Sequence, residues 1–255
     1  MFRNLDPMLP SEPLANFHLR SVNLLPSNSI RPFNFDARER SIVARAWTYG
    51  WAISRNTDTP IERLGYFHIF VGKPDQTTRY VLHHFDHELI KRLVGTEASP
   101  GSWLKVCAPI DRLSPLLSTG WNIHAPEFLM SANLISNEAP IIEGYRVQTE
   151  NSGALTFVKL ITAEGDLAAS GQVVVADSFA TFDKIVTAEA HRRRGLGRHV
   201  MSILSSLSLD LGVKRGVLVA TEEGAALYKA LGWSLVSPIA AASHLNAHTL
   251  GPSVA

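Results

Sequence analysis

The stretch of this 255-residue chain that is best equipped for chemistry is residues 183 to 204, DKIVTAEAHRRRGLGRHVMSIL. A strand-like run ends near Thr187, a short turn follows, and Arg192-x-x-Gly195-x-Gly197 then opens a helix. Leu196, Val200, Leu204, Leu207 and Leu211 recur along it at helical spacing, so one face packs against a sheet while the N-terminus points outward. Gly212 is a natural stop. Glycines without a Cβ let backbone amides approach an anion closely, and the free first-turn N–H groups and the positive dipole end stabilise it. Within residues 184 to 199, Lys184, Arg192, Arg193, Arg194 and Arg198 stand against a single acid, Glu189. The pattern is a phosphate or pyrophosphate cradle within a chain whose formal net charge is only +1.

A second motif follows: Leu227-Tyr228-x-x-Leu231-Gly232-Trp233. Together with the glycine loop it makes residues 143 to 237 resemble the GNAT superfamily of acyl-CoA-dependent N-acetyltransferases. That family's signature is Arg/Gln-x-x-Gly-x-Gly/Ala after the fourth strand, with Tyr-x-x-Leu-Gly-aromatic downstream. The resemblance implies that Arg192, Arg193, Arg194, Gly195, Leu196, Gly197 and Arg198 lie along the loop and helix start that hold the CoA pyrophosphate. It implies that Ile185, Val186 and Thr187 form the strand edge that pairs with the pantetheine arm, and that Tyr228 sits near the sulfur as general acid. Acetyl-CoA is then a co-substrate, with no metal required.

The chemistry fits that division. A protonated amine must lose a proton before it attacks a thioester carbonyl, the tetrahedral oxyanion needs a donor such as the amide of Val186 or Thr187, and the departing thiolate takes a proton from a phenol. For the base, Asp183 shares strand parity with Thr181 and is the first choice, with Glu189 second and ordered water alone also allowed by the resemblance. Two plainer readings stay open. Tyr228 fits a core aromatic with its hydroxyl at the rim, and Asp183 fits a residue paired with Lys184 or a neighbouring strand.

The elements that must position these groups divide the chain. Residues 1–34, with five prolines, read as an extended lead-in; residues 35–135 as a degenerate GNAT-like cap domain; 136–140 (SNEAP) as a linker; 141–238 as the acetyl-CoA-binding domain; and 239–255 as a tail. In the first half the pattern gives a helix over 36–54, with Asp36 as N-cap and Ile42, Ala46, Gly50 and Ile53 on one face with Val43 and Trp47 beside it, then a hairpin over 65–71 and 78–84. A helix follows over 86–94, a strand over 103–110, a helix over 111–119 and a strand over 126–134. In the second half come strands at 144–149, 154–163, 168–176 and 179–187, a helix over 195–211, a strand at 216–220, a helix over 222–231 and a strand at 233–237. Both halves end in strand, helix, strand, helix, strand. The expected fold is α+β: a GNAT-like mixed, mostly antiparallel sheet flanked by helices, in two tandem halves.

Two family features are missing from the second half: the helical pair after the first strand, which shapes the acceptor site, and a clear seventh strand. The first half is expected to supply the missing wall. Where its own phosphate loop would lie it carries His83-His84-Phe85-Asp86 and no glycine, so it is not expected to bind CoA in the family manner.

Composition narrows the partners. With 45% hydrophobic residues the chain can bury a large core, and 24 Lys+Arg against 23 Asp+Glu exert no global pull toward nucleic acid or anionic lipid. The arginine run has no interleaved aromatics, so a nucleic-acid patch is set aside. A lone Cys107 excludes an internal disulfide and a cysteine zinc site, and His83, His84 and His87 read as polar surface rather than ligands. No apolar leader or 18-residue apolar run is present, and the expectation is a cytoplasmic protein without membrane partners, with a homodimer allowed. The function expected is transfer of an acetyl group from acetyl-CoA to an amine of a small molecule or peptide. The alternatives are an acyl-CoA sensor without turnover and a transferase for another acyl donor.

Overall fold

The computed structural model describes residues 35–136 and 142–244, all within one compact unit, Phe33–Ala255. The expected lead-in, nearly all of the linker and the last part of the tail lie outside the described residues. The first half contains α1 (Ala37–Arg55), β1 (Ile61–Arg63), β2 (Tyr66–Lys73), β3 (Gln76–Leu82), α2 (His87–Arg92), β4 (Ser102–Val106), α3 (Ile110–Leu113), β5 (Trp121–Ile123) and β6 (Glu127–Asn133). The second contains β7 (Tyr145–Ser152), β8 (Leu155–Thr162), β9 (Leu167–Ala176), β10 (Phe179–Thr187), α4 (Leu196–Asp210), β11 (Arg215–Thr221), α5 (Glu222–Ala230) and β12 (Ser234–His244).

All twelve strands join one sheet in the order β1-β2-β3-β4-β12-β6-β11-β10-β9-β8-β7, with β5 pairing beside β12. Only β3/β4 and β10/β11 are parallel. The order reads as two similar units related about the antiparallel β6/β12 pair at its centre. In each unit a parallel pair is extended by the last strand of the other: β12 lies against β4, and β6 against β11. The tandem arrangement is thus one in which the halves exchange final strands.

That exchange corrects two expectations. The division at 136–140 separates the sequence but not the sheet, because β6 is built into the second half. Residues 239–244, expected to begin a tail, form the end of β12, where Ala240, Ala241 and Ala242 are fully buried and paired with β4. Small side chains there signal tight packing under α3, not disorder.

Helix α1 starts at Asp36, whose carboxylate accepts from the Glu39 amide at 2.7 Å. Its buried face is rotated from the expected one: Ile42 and Ile53 are about two-fifths exposed, while Val43, Trp47 and Trp51 are buried. Gly50 sets this seat, since a Cβ there would stand 2.0 Å from Thr181 Oγ1 of β10. The helix packs against β9, β10, β11 and β12 and also reaches β2, so it bridges the two halves on one face of the sheet. On the opposite face α4 buries Leu196, Val200 and Leu204 against β8, β9 and β10. No described helix is long and apolar enough to cross a membrane.

Candidate functional site

Strands β10 and β11 are hydrogen-bonded over three residues only, Phe179, Ala180 and Thr181 against Arg215, Gly216 and Val217, and beyond that they are unpaired. A bulge between Asp183 and Val186 bends β10 away, with Lys184 at φ 52°. Gly171 on β9 makes room for it, since a Cβ there would lie 2.5 Å from Ile185 Cδ1 and 2.6 Å from Val200 Cγ1. The gap so opened is a cleft of about 390 Å³, within the range of small-molecule sites. Ile185, Val186 and Thr187 form one wall, Arg192, Arg193, Gly195, Leu196, Gly197 and Arg198 one end, and Thr221, Leu227 and Tyr228 the facing wall.

At the α4 end, Gly195 is the N-cap at φ 79° and carries no side chain to capture the first-turn amides. Arg193 is also left-handed, at φ 61°, an uncommon conformation outside glycine. The loop therefore turns twice and leaves amides facing the cleft with the helix dipole behind them. Gly197 lets α4 approach α5, where a Cβ would lie 3.3 Å from Leu227 Cδ2. Arg194 departs from its expected place: it turns away and donates to Tyr145 Oη at 3.1 Å, lining a separate apolar cavity beside α4.

Tyr228 is buried at 8% exposure, with the Trp233 ring tilted against it at 6.0 Å between centroids. Burial, and secondarily the charge of Asp183, push its phenol up to about 12, so it carries its proton throughout the neutral range.

Asp183 is not a free carboxylate. It accepts from Ser54 Oγ at 2.7 Å and from Arg55 Nη2 at 3.0 Å, with Gln172 Nε2 at 3.5 Å. Arg55 Nε stands 3.0 Å from its other oxygen. Both oxygens are engaged, and the group ties the C-terminal end of α1 to the bulge. Neither Asp183 nor Glu189 lines the cleft.

Sequence reading missed Thr221, which caps α5 by accepting from the Gly224 amide at 3.2 Å and lines the cleft. A Thr before Glu-Glu at a helix start was the available signal. It also missed Ser54 and Arg55, whose partner Asp183 is 129 and 128 residues away in sequence and leaves no local pattern.

Comparison with known proteins bears on this geometry. Residues 121–233 match the model of the acetyltransferase (GNAT) family. The match begins at β5, before the expected boundary, as the exchanged strand β6 requires. A stretch of 85 residues is 35% identical to the uncharacterized N-acetyltransferase YobR of Bacillus subtilis (strain 168), covering 32% of this chain and 34% of that protein. The chain thus spans about a third of the length of this curated relative. Among solved structures, the GCN5-related N-acetyltransferase from Kribbella flavida superimposes with a TM-score of 0.58 at 14% identity, over 82% of this chain and 96% of that one. A GCN5-related N-acetyltransferase-like protein from Streptococcus suis gives 0.53 at 12% identity, over 81% and 97%. At these identities the likeness is one of fold, and it extends across both halves.

Proposed function

We propose that the chain, whose residues 121–233 match the acetyltransferase (GNAT) family, transfers an acetyl group from acetyl-CoA to an amine by direct attack on the thioester. The observation that carries this reading is the gap between β10 and β11, with the amide-lined start of α4 at one end and a protonated phenol in its wall. The pyrophosphate sits on the amides around Gly195 to Gly197, flanked by Arg193 and Arg198. The pantetheine lies along Ile185 to Thr187, whose outer edge has no strand partner on that side.

The amine nitrogen bonds to the thioester carbonyl carbon as the amine proton passes to water. The oxyanion accepts from a β10 amide near Val186. As the C–S bond breaks, the thiolate takes the Tyr228 proton and leaves as free CoA, and Tyr228 is reprotonated from solvent. Asp183 acts as a positioning residue, since its oxygens already hold Arg55 and Ser54. Tyr228→Phe should cut turnover by about 100-fold or more, within the span of general-acid catalysis, while CoA affinity by calorimetry stays within twofold. Unchanged turnover would remove Tyr228 from the mechanism, and CoA binding without acyl transfer to any amine in a broad panel would mean a sensor.

A further inference from the structure

Three cations cluster on the α1 face of the sheet, beyond the C-terminal end of α1. Trp51 stacks on Arg79 at 3.8 Å and lies 5.8 Å from Arg55, while Trp103 lies 5.8 Å from Arg79 and 5.6 Å from Lys105. Two of the three are neutralised: Arg55 by Asp183, and Lys105 by Glu127. Arg79 is not. Arg79 is 7% exposed, and among the described residues no carboxylate lies within 4 Å of its guanidinium. Its Nη2 donates to Gln76 Oε1 at 3.2 Å, but its Nε and the Gln76 Nε2 are both buried without a hydrogen-bond partner. Glu127 and Asp183 act on this charge only from a distance, and a buried cation with no acceptor in contact, beside an orphaned amide donor, is costly unless something supplies the missing acceptors.

The place of this cation ties it to the cleft. Arg55, which shares the Trp51 ring with Arg79, is held by Asp183, and Asp183 stands two residues before Ile185 of the cleft wall. A second cavity is walled by Trp103, His124, Pro126 and Glu127, and it shares Thr221 and Glu223 with the cleft of the glycine loop. Trp103 therefore borders both this cavity and the Arg79 cluster.

We propose that Arg79, with Gln76, binds the carboxylate of the acceptor, which makes the acceptor an amino acid or another amine bearing a carboxylate. This rests on the acyl-transfer reading of the cleft. A guanidinium presents two N–H groups in the fork that a carboxylate matches, and its charge is what a neutral amide of the same shape cannot satisfy. The acid end lies toward Arg79, and the amine end toward Tyr228 and the thioester.

The test uses the full chain and product-like probes, so it does not depend on turnover. Thermal shifts are measured in saturating CoA with N-acetylglycine, N-acetylphenylalanine and N-acetylglutamate, each against its amide. At least one acid should stabilise the wild type with an apparent affinity tenfold or more above its amide. Arg79→Lys, which keeps the charge and loses the fork, should reduce that ratio several-fold, and Arg79→Met should bring it to about one. If no acid outperforms its amide in the wild type, or if Arg79→Met lowers the melting temperature while leaving the ratio intact, the proposal is overturned and Arg79 is a stacking partner of Trp51. The acyl-transfer reading fails on a different signal, namely no stabilisation by CoA itself.

Discussion

The two halves contain the same parallel strand pair and differ in whether it is closed. In the first half β3 and β4 stay in register from Thr78 and Ser102 to Leu82 and Val106, and the Cys107 amide adds a further bond to the Leu82 carbonyl. In the second half β10 leaves β11 after three residues. The closed pair is followed by His83 and His84, packed on each other with Nδ1 atoms 3.1 Å apart, and the open pair by a glycine-capped helix. A zipped pair has no unsatisfied strand edge to offer an extended ligand. The lesson is that an open strand edge in this fold comes from a defect, a bulge that leaves backbone groups free, and that the half without it can offer a ligand side chains but no such edge.

The comparison can be broken in several ways. The largest effect expected is the loss of about 100-fold or more in turnover with Tyr228→Phe, read by CoA release, since the open half alone supplies the proton. Next, Gly50→Ala would force α1 off Thr181 and cost about 1–3 kcal/mol, lowering the melting temperature measured by calorimetry. This change lies in the first half by sequence and should still weaken CoA binding, because α1 is seated on β10. Gly195→Val places a branched side chain at φ 79°, where left-handed backbone costs about 1–2 kcal/mol, so CoA affinity should fall roughly tenfold by titration.

A pH profile sharpens the picture further. With the Tyr228 phenol pushed up to about 12, its proton is retained to high pH, and loss of the acid should not limit turnover below pH of about 10. Because its folded pKa is raised, the stabilisation from burying the neutral phenol is complete below the unfolded value of about 10 and lost as pH rises through about 12. Alkaline melting of wild type and Tyr228→Phe should diverge only in that window. The smallest effect belongs to the closed half: His84→Ala should leave CoA affinity within twofold, and a larger loss would show that the first half also touches the nucleotide.

Much of this was legible in sequence because it is local. The periodicity of Leu196, Val200 and Leu204 marks α4, and the glycine spacing marks its start within a residue of the observed Leu196. Strand β10 has the expected bounds, Phe179–Thr187. The residues expected along the cleft gather there, apart from Arg194 and the two candidate bases Asp183 and Glu189, and the places of Arg194 and Asp183 are set by partners remote in sequence: Tyr145 for one, Ser54 and Arg55 for the other. Likewise the alanine run at 240–242 looks structureless until its position beside β4, with β5 at its other edge, is known. Pattern shows what a segment prefers, and it cannot show which distant strand will cover it.

The exchanged strands also bear on how the chain is made. As it emerges from the ribosome, the first half presents β4 with one edge bare, because β12, its partner there, is the last described element to be synthesised. Strand β6 must likewise wait for β11, more than 80 residues later. Nascent chains that hold open strand edges are prone to wrong pairing, and contacts of such long range close slowly. Truncation before β12 should therefore yield an aggregating product, and maturation of this protein in the cell should depend on protection until β12 has been made.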